Sequence, residues 1–391
     1  MKNIKISKES IVLFFMTFFA LKIGCISYVS SVLNLFWYIG AVIVFLYAFS
    51  YILYSRKFNK LDFTMMIFYI FLLVSTLLNH GDLVSYVKEL ISFLTTYFVI
   101  KFGLEKSPKK FINIFSTYLS LLLVLNTLST IIFYPDAMFR DNNNPIFFMG
   151  GDNTSVRLYI VAVLFCFMKK YIKNKKMVMP VASLLNLFVF SMVRDLGGGK
   201  ICFIILLLCI GYLIYGANIP GKIMKKIIMV NALLFFILVI VNKMSLFKFI
   251  IVDILHRNLS LTDRTIIWDI TIKKIMSKPV MGYGMIDGLT FQRMLPYIIG
   301  VNAHNTYLMI LFDGGIVLFV IFIISMIVGQ MKFDSVKHDR WIYMIPLTLL
   351  TLMIRAQIEG WDVIWLFILL FLCYSYDKIE QLGKKEIDEI K

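Results

Sequence analysis

Long apolar runs alternate with short polar segments along almost the whole chain. A helix that crosses the hydrocarbon core of a bilayer needs roughly 20 mostly apolar residues. About twelve stretches meet this requirement, at approximately residues 11–29, 33–54, 62–79, 86–104, 111–134, 156–172, 177–194, 200–216, 225–242, 304–328, 341–356 and 361–376. The pattern predicts an all-α, polytopic membrane protein in which residues 1–391 form a single integral membrane domain.

Lysine and arginine are distributed unevenly between the segments that join these runs. If the N-terminus is cytoplasmic, every inner segment carries at least three such residues, whereas most outer segments carry one or two. Cytoplasmic loops of membrane proteins carry this kind of excess. We therefore expect both termini in the cytoplasm. The net charge of +17 has the same explanation and does not indicate a nucleic-acid partner.

Composition agrees with a membrane location. Hydrophobic residues make up 60% of the chain and charged residues only 16%, more apolar sequence than a soluble core of this size requires. All five cysteines lie in apolar runs, where cysteine packs as a small hydrophobic residue. We expect neither a disulfide framework nor a metal site from them.

Two outer segments are long, residues 135–155 and residues 243–303. Long ordered loops in compact proteins are usually functional. Within the larger one, isoleucines recur at helical spacing between residues 264 and 276, with charged residues between them. This spacing predicts an amphipathic helix at the outer membrane surface. Pro279, Gly282 and Gly284 then end the helix and turn the chain.

His304 and Asn305 stand where the larger outer segment re-enters apolar sequence. A histidine titrates near neutral pH, so at this position it can accept a proton from a hydroxyl group. The alternative is a polar residue that simply ends a helix at the interface. The other three histidines lack this setting.

Arg194 ends an apolar run, in the sequence FSMVRDLGGGK. An arginine at such a position needs a partner or a polar cavity. A structural ion pair with Asp195 is one interpretation, and a guanidinium directed at a phosphate is the other, since its planar fork binds oxyanions.

Arg264 opens the predicted surface helix, with Trp268 one turn later. A cation–π pair that anchors the helix is one interpretation, and a ligand for an anion at the helix N-terminus is the other. Four further arginines also lie on the outer side, Arg140, Arg157, Arg293 and Arg355. For Arg355, a local ion pair with Glu359 is the simpler interpretation.

The chain lacks motifs for metals or cofactors. The histidines do not have the HExxH spacing of zinc proteases, and the outer side has no DxD motif. The GGGK string lacks the spacing of a phosphate-binding loop, and the GYG string is too short for a dinucleotide fold. We expect no metal and no cofactor.

Three motifs together resemble those of a known superfamily. One is an arginine among small residues, at Arg194. The second is R-x-x-x-W followed by P-x-x-G-x-G, from Arg264 to Gly284. The third is H-N-x-Y-L followed by a glycine pair, which begins at His304 and includes Asn305, Tyr307, Leu308, Gly314 and Gly315. A fainter similarity is GGDN, which ends at Asn153. These motifs, in this order, resemble the O-antigen polymerase/O-antigen ligase superfamily, which includes capsular polysaccharide polymerases of the Wzy type.

The resemblance implies a GT-C-like, inverting glycosyltransferase on the outer face of the bacterial cytoplasmic membrane. Its donor and acceptor would be undecaprenyl-pyrophosphate-linked glycans, with membrane lipids and a chain-length regulator as further partners. His304 would act as the base, and Arg194 and Arg264 would hold the pyrophosphate. The residues assigned to substrate binding are Asn305, Tyr307, Trp268, Arg140, Asn153 and Arg355.

Two alternatives remain open. A ligase of the same superfamily would transfer the glycan to lipid A core or to a protein, and the shared motifs do not separate it from a polymerase. A polysaccharide flippase or secondary transporter is the other class. Such carriers usually place charges near the bilayer midplane and have two related halves, neither of which is evident here.

Overall fold

The computed structural model describes residues 7–141, 144–173, 176–216, 219–241, 244–249, 252, 264–295 and 301–388. Helices dominate this part of the chain, as the apolar runs predict. The α-helices are α1 (Lys8–Ala20), α2 (Ile26–Val29), α3 (Ser31–Tyr54), α4 (Lys60–Leu78), α5 (Leu83–Lys106), α6 (Pro108–Ile132), α7 (Asp152–Ile172), α8 (Val178–Val193), α9 (Gly197–Ile214), α10 (Ile223–Phe235), α11 (Arg264–Ile275), α12 (Gly288–Met294), α13 (Thr306–Phe333), α14 (Met344–Arg355), α15 (Val363–Tyr374) and α16 (Tyr376–Asp388). A π-helical turn, Phe236–Ile240, extends α10, and 3-10 turns cover Met244–Phe247 and Arg340–Tyr343.

Seven helices of the described chain are long and apolar enough to cross a membrane: α3, α4, α5, α6, α9, α10 with its π-helical turn, and α13. The predicted multi-pass helical class is therefore confirmed, whereas the count of twelve spans is not. Every predicted run contains a helix, but several helices are too short or too polar to qualify by themselves. Helices α7 and α15 are buried almost throughout and form the centre of the packing.

The first predicted span, residues 11–29, is not one continuous helix. It breaks between α1 and α2, because the backbone there supports the loop of residues 135–155. The Cys25 N–H donates to the Phe148 carbonyl over 3.1 Å. Gly24 lies so close to this loop that a Cβ atom would stand 2.4 Å from the Gly150 nitrogen. The break therefore provides a platform for the smaller outer segment.

The smaller outer segment, residues 135–155, folds into a three-stranded antiparallel sheet and the start of a helix. Its strands are β1 (Phe139–Asp141), β2 (Asn144–Phe147) and β3 (Gly150–Gly151), in the order β1–β2–β3. Phe139 pairs with Ile146, and Phe147 pairs with Gly150. The sheet ends directly at α7, so it places the first turn of that helix.

Helices α14 and α15 have 12 residues each. A 12-residue helix is about 18 Å long, shorter than the roughly 30 Å hydrocarbon core. The loop between them, Ala356 to Asp362, is buried: Ala356, Gln357 and Glu359 are 0%, 1% and 6% exposed. We call residues 356–362 the central loop. The sequence RAQIEGWD is rich in polar groups and interrupts the apolar pattern. Its charged side chains bind partners inside the protein, whereas Gln357 Oε1 and Arg355 Nε have no hydrogen-bond partner among the described residues.

Helix α13 is interrupted by the motif that follows α11. Gly315 has φ +61° and ψ −161°, outside helical geometry. At this break, the Tyr283 and Gly284 N–H groups donate to the carbonyls of Phe312 and Asp313, each over 2.8 Å. The Ile316 N–H donates to Pro279 over 2.8 Å. We call the turn that contains Pro279, Gly282 and Gly284 the Pro-Gly-Gly turn. This turn and the segment of α13 around the glycine pair, Gly314 and Gly315, therefore bind each other through backbone hydrogen bonds.

Helix α11 packs against α13 with one face buried, which carries Ile267, Trp268, Thr271 and Ile275. Ile266 is 53% exposed. The predicted helix is thus present, and its position at the membrane surface stays a prediction. Parts of the larger outer segment, residues 243, 250–251, 253–263 and 296–300, lie outside the described residues.

Candidate active site

The central loop is the feature around which most of the candidate residues gather. Arg355 and Asp362, at its two ends, form a buried ion pair, each side chain 2% exposed. Arg355 also donates to the Asn153 carbonyl over 2.6 Å. Arg157 donates to the Trp361 carbonyl over 2.6 Å and lies 3.4 Å from an Asp362 oxygen. Both ends of the loop are thereby tied to the start of α7.

Arg264 approaches the same loop from the first turn of α11. Its Nη2 donates to Glu359 Oε1 over 3.1 Å, and its Nη1 donates to the Ile358 carbonyl. The Arg264 side chain keeps 17% of its surface exposed, against 8% for Glu359. The loop therefore holds the guanidinium, and a small part of the Arg264 side chain stays exposed.

Glu359 also faces the N-terminus of α9. A Cβ atom on Gly198 would lie 3.5 Å from Glu359 Oε1. Helix α9 starts without a side-chain cap, so its first N–H groups are free of side-chain acceptors. A helix N-terminus attracts anions. The glycines after Arg194 thus allow a carboxylate to approach α9 closely, beside Arg264.

Arg194 lies in the turn between α8 and α9. Its partner is Asp152, the first residue of α7, with Nη2 at 3.3 Å from Oδ2. Its guanidinium stacks over the Phe147 ring, 4.7 Å from the centroid. The suggested pair with Asp195 is wrong, because the turn directs Asp195 toward Lys200, 2.5 Å away. Asp152 is followed by Asn153, whose carbonyl accepts from Arg355, so the Arg194–Asp152 pair lies at the same end of α7 as the buried pair of Arg355 with Asp362.

His304 has an unusual backbone conformation at the mouth of α13. Its φ of +46° lies in the left-handed region, which few non-glycine residues adopt and which recurs at functional sites. Its N–H donates to Asn302 Oδ1 over 2.7 Å. Burial lowers the pKa of His304 below 6.5, Arg264 lowers the pKa further, and Glu359 opposes them. This shift favours the neutral imidazole, which is the form that can accept a proton.

Asn305 connects α13 to the central loop. Its side-chain oxygen caps the helix by accepting from the Leu308 N–H over 2.9 Å, and its Nδ2 donates to the Gln357 carbonyl over 2.8 Å. The Thr306 N–H donates to the Ala356 carbonyl over 2.9 Å. Through these bonds, Asn305 and Thr306 hold the loop beside His304. Asn305 is 0% exposed, so its predicted contact with substrate is not available in this conformation.

Trp268 and Tyr307 are also buried, at 1% and 3% exposure. The indole N–H of Trp268 donates to the Ala303 carbonyl over 3.0 Å, so Trp268 holds the backbone next to His304. The suggested cation–π pair with Arg264 is replaced by this bond. The Tyr307 hydroxyl donates to the Met353 carbonyl over 3.2 Å. These side chains support the site from behind, and neither offers surface to a substrate here.

The remaining candidates differ in position. Asn153 joins the site through its backbone carbonyl, which accepts from Arg355. Arg140 lies on β1, paired with Asp136 over 3.1 Å, and its side chain is 63% exposed. No contact of Arg140 in the described structure reaches the central loop. The local pair of Arg355 with Glu359 is wrong, since Arg355 binds Asp362 and Glu359 binds Arg264.

Sequence reasoning missed the anionic half of this arrangement. In the sequence, Asp152, Glu359 and Asp362 lie apart and do not point to a common site, and Arg157 receives no role. The available signal was the density of polar residues in RAQIEGWD between two short apolar runs. In the described residues, four guanidinium groups and three carboxylates meet around the central loop. No group of three or more His, Cys, Asp or Glu side chains in that part could hold a metal ion.

A family model matches part of the chain. Residues 184–323 match the family model Wzy_C, described as O-antigen ligase. The resemblance to the O-antigen polymerase/ligase superfamily is confirmed. The match covers less than half of the chain, but it includes Arg194, Arg264, Trp268 and His304. No curated protein sequence matches the chain.

The match adds to the description in three ways. Members of this family are enzymes that act on polysaccharides, and the family is involved in processing lipid-linked O-antigen glycans. The apolar helices and the O-antigen family together indicate a multi-pass protein of the bacterial inner membrane. Arg157, Arg355 and the central loop lie outside the matched residues, so only the tertiary structure joins them to the family's segment.

Proposed function

We propose that this protein is an inverting, metal-independent polysaccharide polymerase. It would join undecaprenyl-pyrophosphate-linked oligosaccharide repeat units into O-antigen or capsular polysaccharide on the outer face of the cytoplasmic membrane. The proposal rests on the position of Arg264, Arg194 and His304 around the buried central loop. All three residues lie in the part of the chain that matches the O-antigen ligase model.

The arginines suit the leaving group of such a reaction. A pyrophosphate beside lipid needs neutralisation, which guanidinium groups supply without a metal. Glu359 now binds Arg264 beside the N-terminus of α9, and it marks a position where an anion is stabilised. We propose that a donor phosphate binds the accessible side of Arg264 or takes the place of Glu359. Arg194 provides a second cation, next to Asp152.

The chemistry then needs one base. A hydroxyl oxygen of the acceptor sugar attacks the anomeric carbon of the donor, and its proton passes to the neutral imidazole of His304. The bond from that carbon to the pyrophosphate oxygen breaks, and the pyrophosphate leaves with the electron pair. Arg264 and Arg194 stabilise the charge that develops on it. A single displacement of this kind inverts the anomeric configuration.

Partners follow from the same chemistry. Donor and acceptor are both lipid-linked glycans, so both approach from the bilayer, and the surrounding membrane lipids contact the apolar helices. A regulator of chain length would contact the outer side. The proposed reaction uses no cofactor and no nucleic acid. Arg140, exposed on β1, would contact the growing glycan, and Asn153 and Arg355 would keep the central loop in place.

A ligase is the second candidate, because the matched family model carries that description. A ligase would use the same donor and a different acceptor, which is lipid A core or a protein. An assay with defined repeat units separates the two. Transfer to a second lipid-linked repeat unit supports the polymerase, and transfer only to an acceptor without lipid pyrophosphate supports the ligase.

Complementation of a polymer-deficient strain tests the site. Wild type should restore long polymer, whereas His304→Ala and Arg264→Ala should lose it at normal membrane levels. Loss of a general base lowers rates roughly 10²–10⁴-fold. Arg293→Ala is the matched control, since it removes an exposed outer arginine that has no role in the proposed site, and it should retain polymer. Wild-type polymer from both site variants would refute the assignment. Transport of glycan that survives both substitutions would favour a flippase.

A further inference from the structure

A second cationic site lies where the outer ends of α1, α3 and α5 meet. Lys22, just after α1, donates to Asn34 Oδ1 over 2.7 Å and to the Tyr38 hydroxyl over 3.3 Å. Its ammonium lies 4.5 Å from the centre of the Tyr38 ring and 5.4 Å from that of Trp37. All of these partners are neutral.

The hydrogen-bond partners of Lys22 carry no charge that balances its own. Among the described residues no carboxylate forms an ion pair with Lys22, and Lys88 on α5 is close enough to repel it. In addition, the indole N–H of Trp37, a residue only 3% exposed, has no hydrogen-bond partner. Two neighbouring cations at the edge of a membrane are costly unless an anion binds them.

The surroundings of the cluster face lipid. Side chains next to Asn34 and Tyr38 on α3 are apolar and exposed, including Val32 at 73% and Phe36 at 63%. On α5, Val84 is 62% exposed. In a membrane protein such surfaces contact acyl or isoprenoid chains. An anion that reaches Lys22 and Lys88 from this side would therefore be the headgroup of a lipid.

The cluster is connected to the candidate active site. Glu89, next to Lys88, accepts the indole N–H of Trp361 over 2.5 Å. Trp361 belongs to the central loop, and its carbonyl binds Arg157. Glu89 also acts electrostatically on Tyr38. A chain of contacts from Glu89 to Trp361 to Arg157 thus links the lysine cluster to the arginines, and the two groups of cations consist of different residues.

We propose that Lys22, Lys88 and Tyr38 bind the phosphate groups of the acceptor lipid, while Arg264 and Arg194 bind those of the donor. This inference rests on the proposed function, because a polymerase joins two lipid-linked substrates and must hold two pyrophosphates. The ligand is a phosphate-bearing lipid. A lipid diphosphate and a bulk anionic phospholipid share that chemistry, and the inference commits to the lipid diphosphate.

Binding stoichiometry tests the proposal directly. The full-length protein is purified in detergent and mixed with polyprenyl diphosphate, and bound molecules are counted by native mass spectrometry. Wild type should bind two, the Lys22→Met/Lys88→Met variant one, and that variant combined with Arg264→Ala none. Lys22→Arg/Lys88→Arg should keep two. Lys273→Met is the matched control, since it removes an exposed outer lysine elsewhere.

The outcomes separate this inference from the proposed function. Wild type that binds no polyprenyl diphosphate would overturn both. Two molecules on the Lys22→Met/Lys88→Met variant would overturn only the acceptor site. Displacement of the second molecule by an equal concentration of dioleoylphosphatidylglycerol or inorganic pyrophosphate would also overturn it. Lys88 is exposed, so Lys88→Met alone remains a folded test and should weaken the second binding event at least tenfold.

A kinetic measurement supports the count. The donor is capped at its non-reducing end, so it cannot accept, and the acceptor carries a phosphonate linkage, so it cannot donate. Lys22→Met/Lys88→Met should raise the KM for the acceptor about tenfold, equivalent to about 1.4 kcal/mol, with the donor KM unchanged. A change in the donor KM alone would contradict the assignment.

Discussion

Substitution of Gly315 by alanine tests how the Pro-Gly-Gly turn holds α13. At this position the backbone has φ +61° and ψ −161°, and an added Cβ atom would lie 2.3 Å from the Val280 carbonyl oxygen. Residues that carry a side chain disfavour this conformation. The Val280 carbonyl oxygen belongs to the backbone, so it cannot rotate away from the added Cβ atom as a side chain could. The turn must therefore separate from α13, or α13 must change its course.

The magnitude follows from these two effects. A non-glycine residue in such a region costs roughly 1–3 kcal/mol. If the turn moves, the bond from the Ile316 N–H to the Pro279 carbonyl, 2.8 Å long, and that from the Val317 N–H to Val280, 3.4 Å long, are weakened or lost. Each is worth about 1 kcal/mol. We expect a total destabilisation of about 3–5 kcal/mol, from the sum of these contributions.

Thermal unfolding of the purified protein, followed by size-exclusion fluorescence, measures the effect. Gly315→Ala should lower the apparent Tm by about 5 °C or more. Gly211→Ala is the matched control: no atom lies within 4 Å of its added Cβ, and Gly211 is within α9. It should leave the Tm unchanged or slightly higher, because alanine favours helix. Equal Tm values for Gly315→Ala and wild type would refute the backbone pairing as a stabilising contact.

Three further predictions concern the site and the packing. Activity should fall as the pH drops through the pKa of His304, since an imidazolium cannot accept a proton. Because Glu359 raises the pKa of His304, Glu359→Gln should move this fall in activity to lower pH in a pH–rate profile. A shift to higher pH would contradict the arrangement of charges. Trp268→Phe removes the hydrogen bond from the indole N–H to the Ala303 carbonyl, beside His304. This variant should lower turnover and leave the binding of polyprenyl diphosphate at Arg264 unchanged. Weaker binding would contradict a positioning role for Trp268. Lys101→Met leaves Asp62 buried without its cation, which costs about 3–5 kcal/mol, and adding Asp62→Asn should recover most of the lost thermal stability. No recovery would contradict the ion pair.

The helical class of this protein could be predicted because it depends on local composition. An apolar run of about 20 residues buries its backbone hydrogen bonds only as a helix, whatever surrounds it. The first run shows where this reasoning ends. Residues 11–29 are apolar enough, yet the helix breaks near Gly24 because the loop at Gly150 packs against it. Such a contact joins positions far apart in the chain, and periodicity does not detect it.

The candidate site was partly predictable for a related reason. His304, Arg264 and Arg194 stand out because each is a polar residue beside an apolar run. Their partners do not stand out in this way. The carboxylates that bind the arginines lie on other elements, and their neighbours in the sequence suggested different pairs, Arg194 with Asp195 and Arg355 with Glu359. Helix packing decides which side chains meet.

The sequence by itself determined that the chain forms long apolar helices of the membrane-spanning kind, and which segments between them carry polar residues. Local hydrophobicity and motif spacing suffice for both. Only the tertiary structure decided that the central loop is buried, that Arg264 binds Glu359, and that the Pro-Gly-Gly turn pairs with the break in α13. These contacts depend on distance in space, since burial leaves each polar group to bind whatever neighbouring elements place beside it.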